Sequence, residues 1–350
     1  MARMKDVMAT VQAWDADGLA SAEAILAGVQ HSSPRPAGAR LVVNEKGEVA
    51  GAVSMGCVES DLREHLLALL RGESAPRMVH YGRGFAAALE VGLTCGGEID
   101  VWLRKHDSGS AAWRDLRALA PDARAVLLTH LGGDSEQIFL RPGDAPPPEL
   151  AAALADVWTR GGVRQLAAEA EHWLAELIAP EPRLFIVGAS PIATALADLA
   201  ARVGFRVAVV DPRRDFARAE LFPAGTALLH RWPEEGLAEA GLDEHGYVAV
   251  LAHDAKLDVP ALSAALRAKC RYVGLLGSAG TQADRRAALR AAGFAAADVD
   301  RIRGPIGLKG VGALEPAEIA VSILAELVMA RRGKLETGGE IGRASCRERV

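Results

Sequence analysis

The chain has 350 residues, half of them hydrophobic and 24% charged; this excludes a mainly disordered state and leaves room for two domains of roughly 150 residues each. Lys and Arg number 40 against 45 Asp and Glu, for a net charge of −5, a poor match to the basic footprint that nucleic-acid binding needs. Four cysteines are too few for a disulfide framework, and no uninterrupted apolar run reaches the roughly 18 residues of a membrane span, so a reducing, cytoplasmic setting is expected.

The first predicted element is a helix over about residues 4–27. A loop follows at His31-Ser32-Ser33-Pro34-Arg35-Pro36-Ala37-Gly38. Its hydroxyls and Arg35 could hold a phosphate or another anion, or it is simply a proline-rich turn. Residues 41–43 and 49–54 flank Asn44-Glu45-Lys46-Gly47 and read as a hairpin. A helix is expected at 58–71, strands at 78–81, 99–104, 125–129 and 137–140, and a further helix near 110–119. This is an α+β pattern with a mainly antiparallel sheet, assigned to residues 1–141. The run Arg141-Pro142-Gly143-Asp144-Ala145-Pro146-Pro147-Pro148 reads as a stiff linker. Residues 149–179 read as helical, so 142–181 is expected to be a linker and helical arm.

After Pro182 the pattern alternates. Strands fit 184–187, 206–210, 227–230, 248–252 and 271–275. Helices fit 191–202, 258–268, 281–291 and 315–331. Alternating units of this length specify an α/β, doubly wound parallel-sheet domain over 182–335. Residues 336–350 are expected to be a tail. The last ten, Ile-Gly-Arg-Ala-Ser-Cys-Arg-Glu-Arg-Val, carry no apolar period and back-translate to a common sequencing adapter. They are set aside from the fold.

Several turns carry candidate chemistry. Leu184-Phe185-Ile186-Val187 leads into Gly188-Ala189-Ser190-Pro191. Ser190 suits an N-cap, Pro191 the first helical position, and free amides there can hold a phosphate. Asp211 stands at the end of the next strand, 23 residues beyond Gly188, about where a ribose-binding acid is expected. Ser190 replaces the second glycine of the dinucleotide fingerprint, so a nucleotide-like ligand and a turn kept only for packing both stay open. His253 and Asp254 fall past the fourth strand of this region, as ligands or as a capped loop. Gly277 and Ser278 open a helix carrying Arg285 and Arg286, a second place to cradle an anion. Cys57 lies in Ser54-Met55-Gly56-Cys57-Val58-Glu59 and Cys95 in Leu93-Thr94-Cys95-Gly96-Gly97. Cys57 at a helix start could be a dipole-stabilised thiolate, and Cys95 a loop thiol; each could equally be a small buried hydrophobe. Cys270 reads as buried. Their spacing fits no zinc signature, so no metal site is assigned.

Taken together, Ser32-Ser33-Pro34-Arg35-Pro36-Ala37-Gly38, Gly56-Cys57-Val58-Glu59, Gly92 to Gly97, Val209-Val210-Asp211-Pro212-Arg213, Tyr272 to Ser278, Pro305-Ile306-Gly307-Leu308 and Glu318 to Glu326 resemble the xanthine dehydrogenase accessory protein (XdhC/CoxI) family. The chain departs from the family's usual pattern at Met55, Ser190, Lys309 and Glu315. The resemblance implies a Rossmann-like second domain. It implies an accessory factor that binds the molybdenum cofactor (molybdopterin or its nucleotide form), protects its sulfurated form and delivers it to a molybdenum hydroxylase apoenzyme. A cysteine desulfurase is the implied sulfur source, and a homodimer is allowed. Cys57 and Cys95 fall on the family's two cysteine loops, which the resemblance associates with sulfur handling. Ser33, Arg35, Gly188, Ser190, Pro191, Asp211, Arg213, His253, Asp254, Gly277 and Ser278 are the candidate cofactor contacts, in a cleft between the domains. The competing readings are an NAD(P)-dependent oxidoreductase, which explains Gly188 and Asp211 but lacks a hydride-transfer pair, and a scaffold that docks a desulfurase without binding a small molecule. An accessory role is favoured over a stand-alone enzyme.

Overall fold

The computed structural model describes residues 4–31, 33, 35–82, 97–133, 135–168 and 171–335. Contacts divide the chain at Pro180/Glu181 into two compact units.

The first unit opens with α1 (Met4–Ala16). The helix stops there, with the Leu19 amide bonded back to the Trp14 carbonyl. Residues expected to extend it form β1 (Ser21–Gln30) instead. Its alanines favour a helix locally, but β1 pairs antiparallel with β2 (Arg40–Asn44) and with β5 (Glu98–Lys105). Those ladders bury successive side chains on both faces, and tertiary pairing overrides weak propensity. With β3 (Val49–Gly51) and β4 (Arg77–Tyr81) the sheet order is β3-β2-β1-β5-β4. Helix α2 (Glu59–Leu70) lays Leu62, Leu66 and Leu69 against this sheet. Their spacing puts them on one helical face.

A second antiparallel sheet follows: β6 (Ala125–His130), β7 (Gln137–Leu140), β8 (Val163–Ala168) and β9 (Glu171–Ile178), in the order β7-β6-β9-β8. Helix α3 (Ala111–Arg117) and α1 share a core with Leu127 and Ile178. Among the described residues of the stretch read as an arm, only Ala151–Arg160, α4, is α-helical. Gly161 ends it at φ +71, a left-handed conformation that glycine adopts without strain. The Ala-, Glu- and Leu-rich residues beyond it become β8 and β9 because β9 is paired on both sides, by β6 and β8. The proline run is therefore a turn inside the first unit. It leads through a short 3-10 turn, Pro148–Leu150, into α4.

Four buried charges tie the two sheets. Arg40, on β2 and 0% exposed, reaches Glu23 on β1 through Nε (3.0 Å) and Glu176 on β9 through Nη1 (2.6 Å). Arg104 on β5 bonds the other oxygen of Glu23 at 2.6 Å. Burial opposes the charge on Glu23, but Arg40 and Arg104 outweigh it and hold the carboxyl below its ordinary range.

The second unit contains β10 (Arg183–Val187), α5 (Pro191–Arg202), β11 (Arg206–Val210), β12 (Ala227–Leu229), α6 (Pro233–Glu239), β13 (Tyr247–Val250), α7 (Ala255–Arg267), β14 (Tyr272–Leu275), α8 (Ala279–Ala291), α9 (Ala296–Val299) and α10 (Pro316–Arg331). All strands are parallel, in the order β12-β11-β10-β13-β14. Helices α5 and α10 pack on one face through Leu196, Ala200, Ile323 and Leu327. Helices α6 to α9 cover the other through Leu237, Leu262, Leu289 and Val299. This is the doubly wound arrangement, and the strand order reverses between β10 and β13. Ligands of open α/β sheets favour the carboxyl edge at such a reversal. No described helix is long and apolar enough to cross a membrane.

Candidate functional site

In the first unit the loop after β3 carries Cys57. It is half-buried, with a free thiol, and packs against the core under α2. The helix starts two residues later, at Glu59. Glu59, which the sequence motifs did not mark as a site residue, organises the loop. One carboxylate oxygen accepts the Ser54 amide at 2.7 Å. The other accepts the Ser54 hydroxyl at 2.6 Å and the amides of Gly56 (2.9 Å) and Val58 (3.3 Å). Burial works against the charge, and these hydrogen bonds override it, so the carboxyl lies below its ordinary range. The positive end of α2 is thus already met by a carboxylate rather than held for a cysteine thiolate. The sequence signal was an acid in the first turn, straight after Gly-Cys-Val. Glu59→Ala is expected to leave the Ser54, Gly56 and Val58 donors unpaired and destabilise the unit by roughly 1–3 kcal/mol. It should also speed modification of Cys57 by a thiol reagent, a rate read directly by absorbance.

Ser33 and Arg35 are described, whereas Ser32, Pro34 and Cys95 lie outside the described residues. The Ser33 hydroxyl donates to the Arg35 carbonyl at 2.9 Å and accepts the Arg35 amide at 3.4 Å. It closes its own turn.

In the second unit, Gly188 and Ser190 follow β10, and Asp211 and Arg213 follow β11. Ser190 caps α5 by accepting the Ala193 amide at 3.2 Å, and Pro191 takes the first helical position. Gly188 sits at φ +99, and a Cβ there would lie 2.4 Å from the Ala252 Cα. The close approach of the loop after β13 therefore explains this glycine by packing alone. Its amide bonds the Val210 carbonyl.

Asp211 is 0% exposed and does not stand open for a ribose. Its Oδ2 accepts the Ala189 amide (2.8 Å) and Arg213 Nη2 (2.7 Å), and its Oδ1 accepts the amide (2.8 Å) and Nε (2.9 Å) of Arg213. Burial raises its pKa, but these bonds outweigh burial and hold the carboxyl low. Arg213 in turn lies over the Phe216 ring, 4.5 Å from its centre. With the Gly188 and Ala189 amides bonded to Val210 and Asp211, the turn has fewer donors for a phosphate than its sequence suggests.

His253 and Asp254 lie beyond β13. His253 is exposed at φ +57. Asp254 caps α7, accepting the Lys256 amide at 2.9 Å. Ser278, after Gly277, caps α8 through the Thr281 amide at 3.3 Å. The two arginines carried by the helix after this turn are engaged elsewhere. Arg285 pairs with buried Asp258 at 3.1 Å. Arg286 donates to the carbonyls of Val299 (2.7 Å) and Ile302 (2.6 Å). Asp258 is held above its ordinary range because burial outweighs Arg285. Cys270 is buried, donates to the Asp243 carbonyl at 3.3 Å, and burial pushes its thiol up to about 12. The sheet order therefore gathers Ser190, Asp211, Arg213, His253, Asp254 and Ser278 along one carboxyl edge. Beside Ser190 the edge opens into a cavity of about 460 Å³, walled by Phe216 and Leu221.

Comparison with known proteins matches residues 184–327 to the XdhC Rossmann domain and residues 14–82 to the XdhC and CoxI family. The chain is 30% identical over 303 residues to the molybdenum cofactor insertion chaperone PaoD of Escherichia coli (strain K12), covering 87% of this chain and 81% of that protein. It is 29% identical over 318 residues to a Bacillus subtilis (strain 168) protein named as a probable xanthine dehydrogenase subunit, covering 89% and 94%. A crystal structure described as a xanthine dehydrogenase from Bacillus halodurans shares the fold, with TM-score 0.70, 23% identity and coverage of 97% and 98%. The matching models and the relative at 30% identity, covered over 81% of its length, establish that this chain belongs to the XdhC and CoxI family.

Proposed function

We propose that this protein is a molybdenum cofactor chaperone: it binds the cofactor as cargo, protects the sulfurated form and delivers it to a xanthine dehydrogenase-type molybdenum hydroxylase. The observation that carries this reading is the likeness, along most of both chains, to a relative named as a molybdenum cofactor insertion chaperone. The chemistry of the residues is compatible. Ser190, Arg213, His253 and Ser278 are polar groups on one sheet edge, where a phosphate-bearing ligand would sit. A cysteine thiolate is a soft ligand suited to molybdenum and sulfur, the role assigned to Cys57 and Cys95. A cysteine desulfurase supplies the sulfur in this reading, and the protein acts in the cytoplasm, with a homodimer as its working form. Asp211 speaks against the oxidoreductase alternative, because its oxygens already accept four bonds from the chain itself.

The test uses the full chain mixed with molybdenum cofactor released from a hydroxylase. Molybdenum should co-elute with the protein through gel filtration, and Cys57→Ala should lower the retained metal or the activation of an apo-hydroxylase. No retention at micromolar protein would refute the chaperone reading. Unaltered activation by Cys57→Ala, together with no retention, would favour a scaffold.

A further inference from the structure

The cavity beside α5 has features that phosphate binding does not call for. At about 460 Å³ it falls within the range of small-molecule sites. The turn and first helical residues, Ala189, Pro191 and Thr194, line it. Phe216 and Leu221, which also line it, are large apolar side chains left 53% and 40% exposed. The backbone of Phe216 is anchored. Its amide bonds the Arg213 carbonyl at 3.1 Å, and the next residue, Ala217, is buried. The Arg213 guanidinium covers its ring and is itself clamped by buried Asp211. One face of the exposed ring is therefore backed by a cation, which leaves the other for a flat ligand. Asp215 lines the same cavity and supplies a carboxylate beside that ring.

We infer that this cavity binds a flat, bicyclic ligand carrying the 2-aminopyrimidin-4-one ring shared by pterins and guanine, with Phe216 as the stacking shelf and Asp215 as the acceptor for its N–H edge. The ring system presents a ring N–H beside an exocyclic amine, two parallel donors that suit the two oxygens of one carboxylate. Adenine presents a donor beside an acceptor and lacks that match. Stacking on an aromatic side chain supplies affinity for any base, so the carboxylate must supply the choice. In this assignment Asp211 positions the shelf through Arg213 and does not touch the ligand. The inference rests on the cofactor-binding reading for its pterin source, and the ring edge by itself is equally that of a guanine nucleotide.

The experiment titrates the full chain with free pterin, followed by pterin fluorescence anisotropy, with GMP, AMP and NAD as competitors. Saturable pterin binding displaced by GMP and not by AMP or NAD is expected. Phe216→Ala should weaken pterin binding about tenfold or more. Asp215→Asn should abolish the preference for GMP over AMP. Both side chains are exposed, so circular dichroism and thermal melting should be unchanged. Binding of GMP without pterin would assign the site to a guanine nucleotide. Equal competition by AMP, or full affinity in Phe216→Ala, would overturn the inference. Retention of intact molybdenum cofactor in Phe216→Ala separates the two ideas. If wild type and variant both retain the cofactor and neither binds pterin, the site is wrong and the chaperone reading stands. If wild type holds neither ligand, both fail.

Discussion

Replacing Arg40 with alanine is expected to destabilise the first unit by roughly 3–5 kcal/mol, the usual penalty for leaving buried charge uncompensated. Arg40 joins Glu23 to Glu176 and is fully buried. Without it Glu23 keeps Arg104, but Glu176 loses the cation that the two-sheet packing places against it. The effect should far exceed that of an exposed pair such as Arg71–Glu73, which solvent screens. Five of the six tryptophans lie before Pro180, so a fluorescence-monitored urea titration reports mainly on this unit. A midpoint indistinguishable from wild type would show that the network contributes nothing. Arg40→Lys should recover only part of the loss, because a single ammonium cannot fork between two carboxylates as a guanidinium does.

The same network sets an acid limit. Glu23 has a lower pKa folded than unfolded, so the unfolded chain binds the extra proton first. Its contribution is complete above the ordinary glutamate range and is lost as the pH falls through the depressed folded value. Glu59 and Asp211 have the same sign. Stability should therefore hold near neutrality and decline once the pH drops below about 4. Glu23→Gln should flatten that slope, as measured by urea midpoints between pH 3 and 6.

Asp211→Ala is the second large effect, expected to remove roughly 2–4 kcal/mol from the second unit. The Ala189 amide is buried and would lose its acceptor, and Arg213 would lose both oxygens that hold it over Phe216. The exposure of Arg213 argues for the lower part of that range. Hydrogen exchange should rise in the turn at 188–190 and in residues 211–217 while β13 and β14 stay protected. If Asp211 were instead an open ribose ligand, its removal would leave exchange in that turn unchanged. Loss of pterin affinity should accompany the loosening, because the shelf loses its support.

The parallel domain was legible because its signals are local and agree with one another. Short apolar runs, Ser190 ahead of Pro191, and an acid at the end of β11 all follow from neighbours in the chain. The short helices α6 and α9, at Pro233–Glu239 and Ala296–Val299, escaped because so few turns leave little periodicity to read. Residues 21–30 and 163–178 misled for a different reason. Their alanine, leucine and glutamate content favours a helix, and it is ladder pairing, of β1 with β2 and β5 and of β9 with β6 and β8, that makes them strands.

The candidate residues divide in the same way. Their order and type identified the family, since matching turns such as Gly56-Cys57-Val58-Glu59 and Val209-Val210-Asp211-Pro212-Arg213 are properties of the chain alone. Composition and charge likewise marked it as an ordinary, mildly acidic globular chain. What each side chain does was decided by tertiary structure. Glu59 became the organiser of the cysteine loop, Gly188 a packing position against Ala252, Arg285 and Arg286 structural ties, and Asp211 the clamp behind Phe216. A carboxylate or guanidinium can bond whatever comes within about 3 Å, and that distance is set by the fold, not by position along the chain.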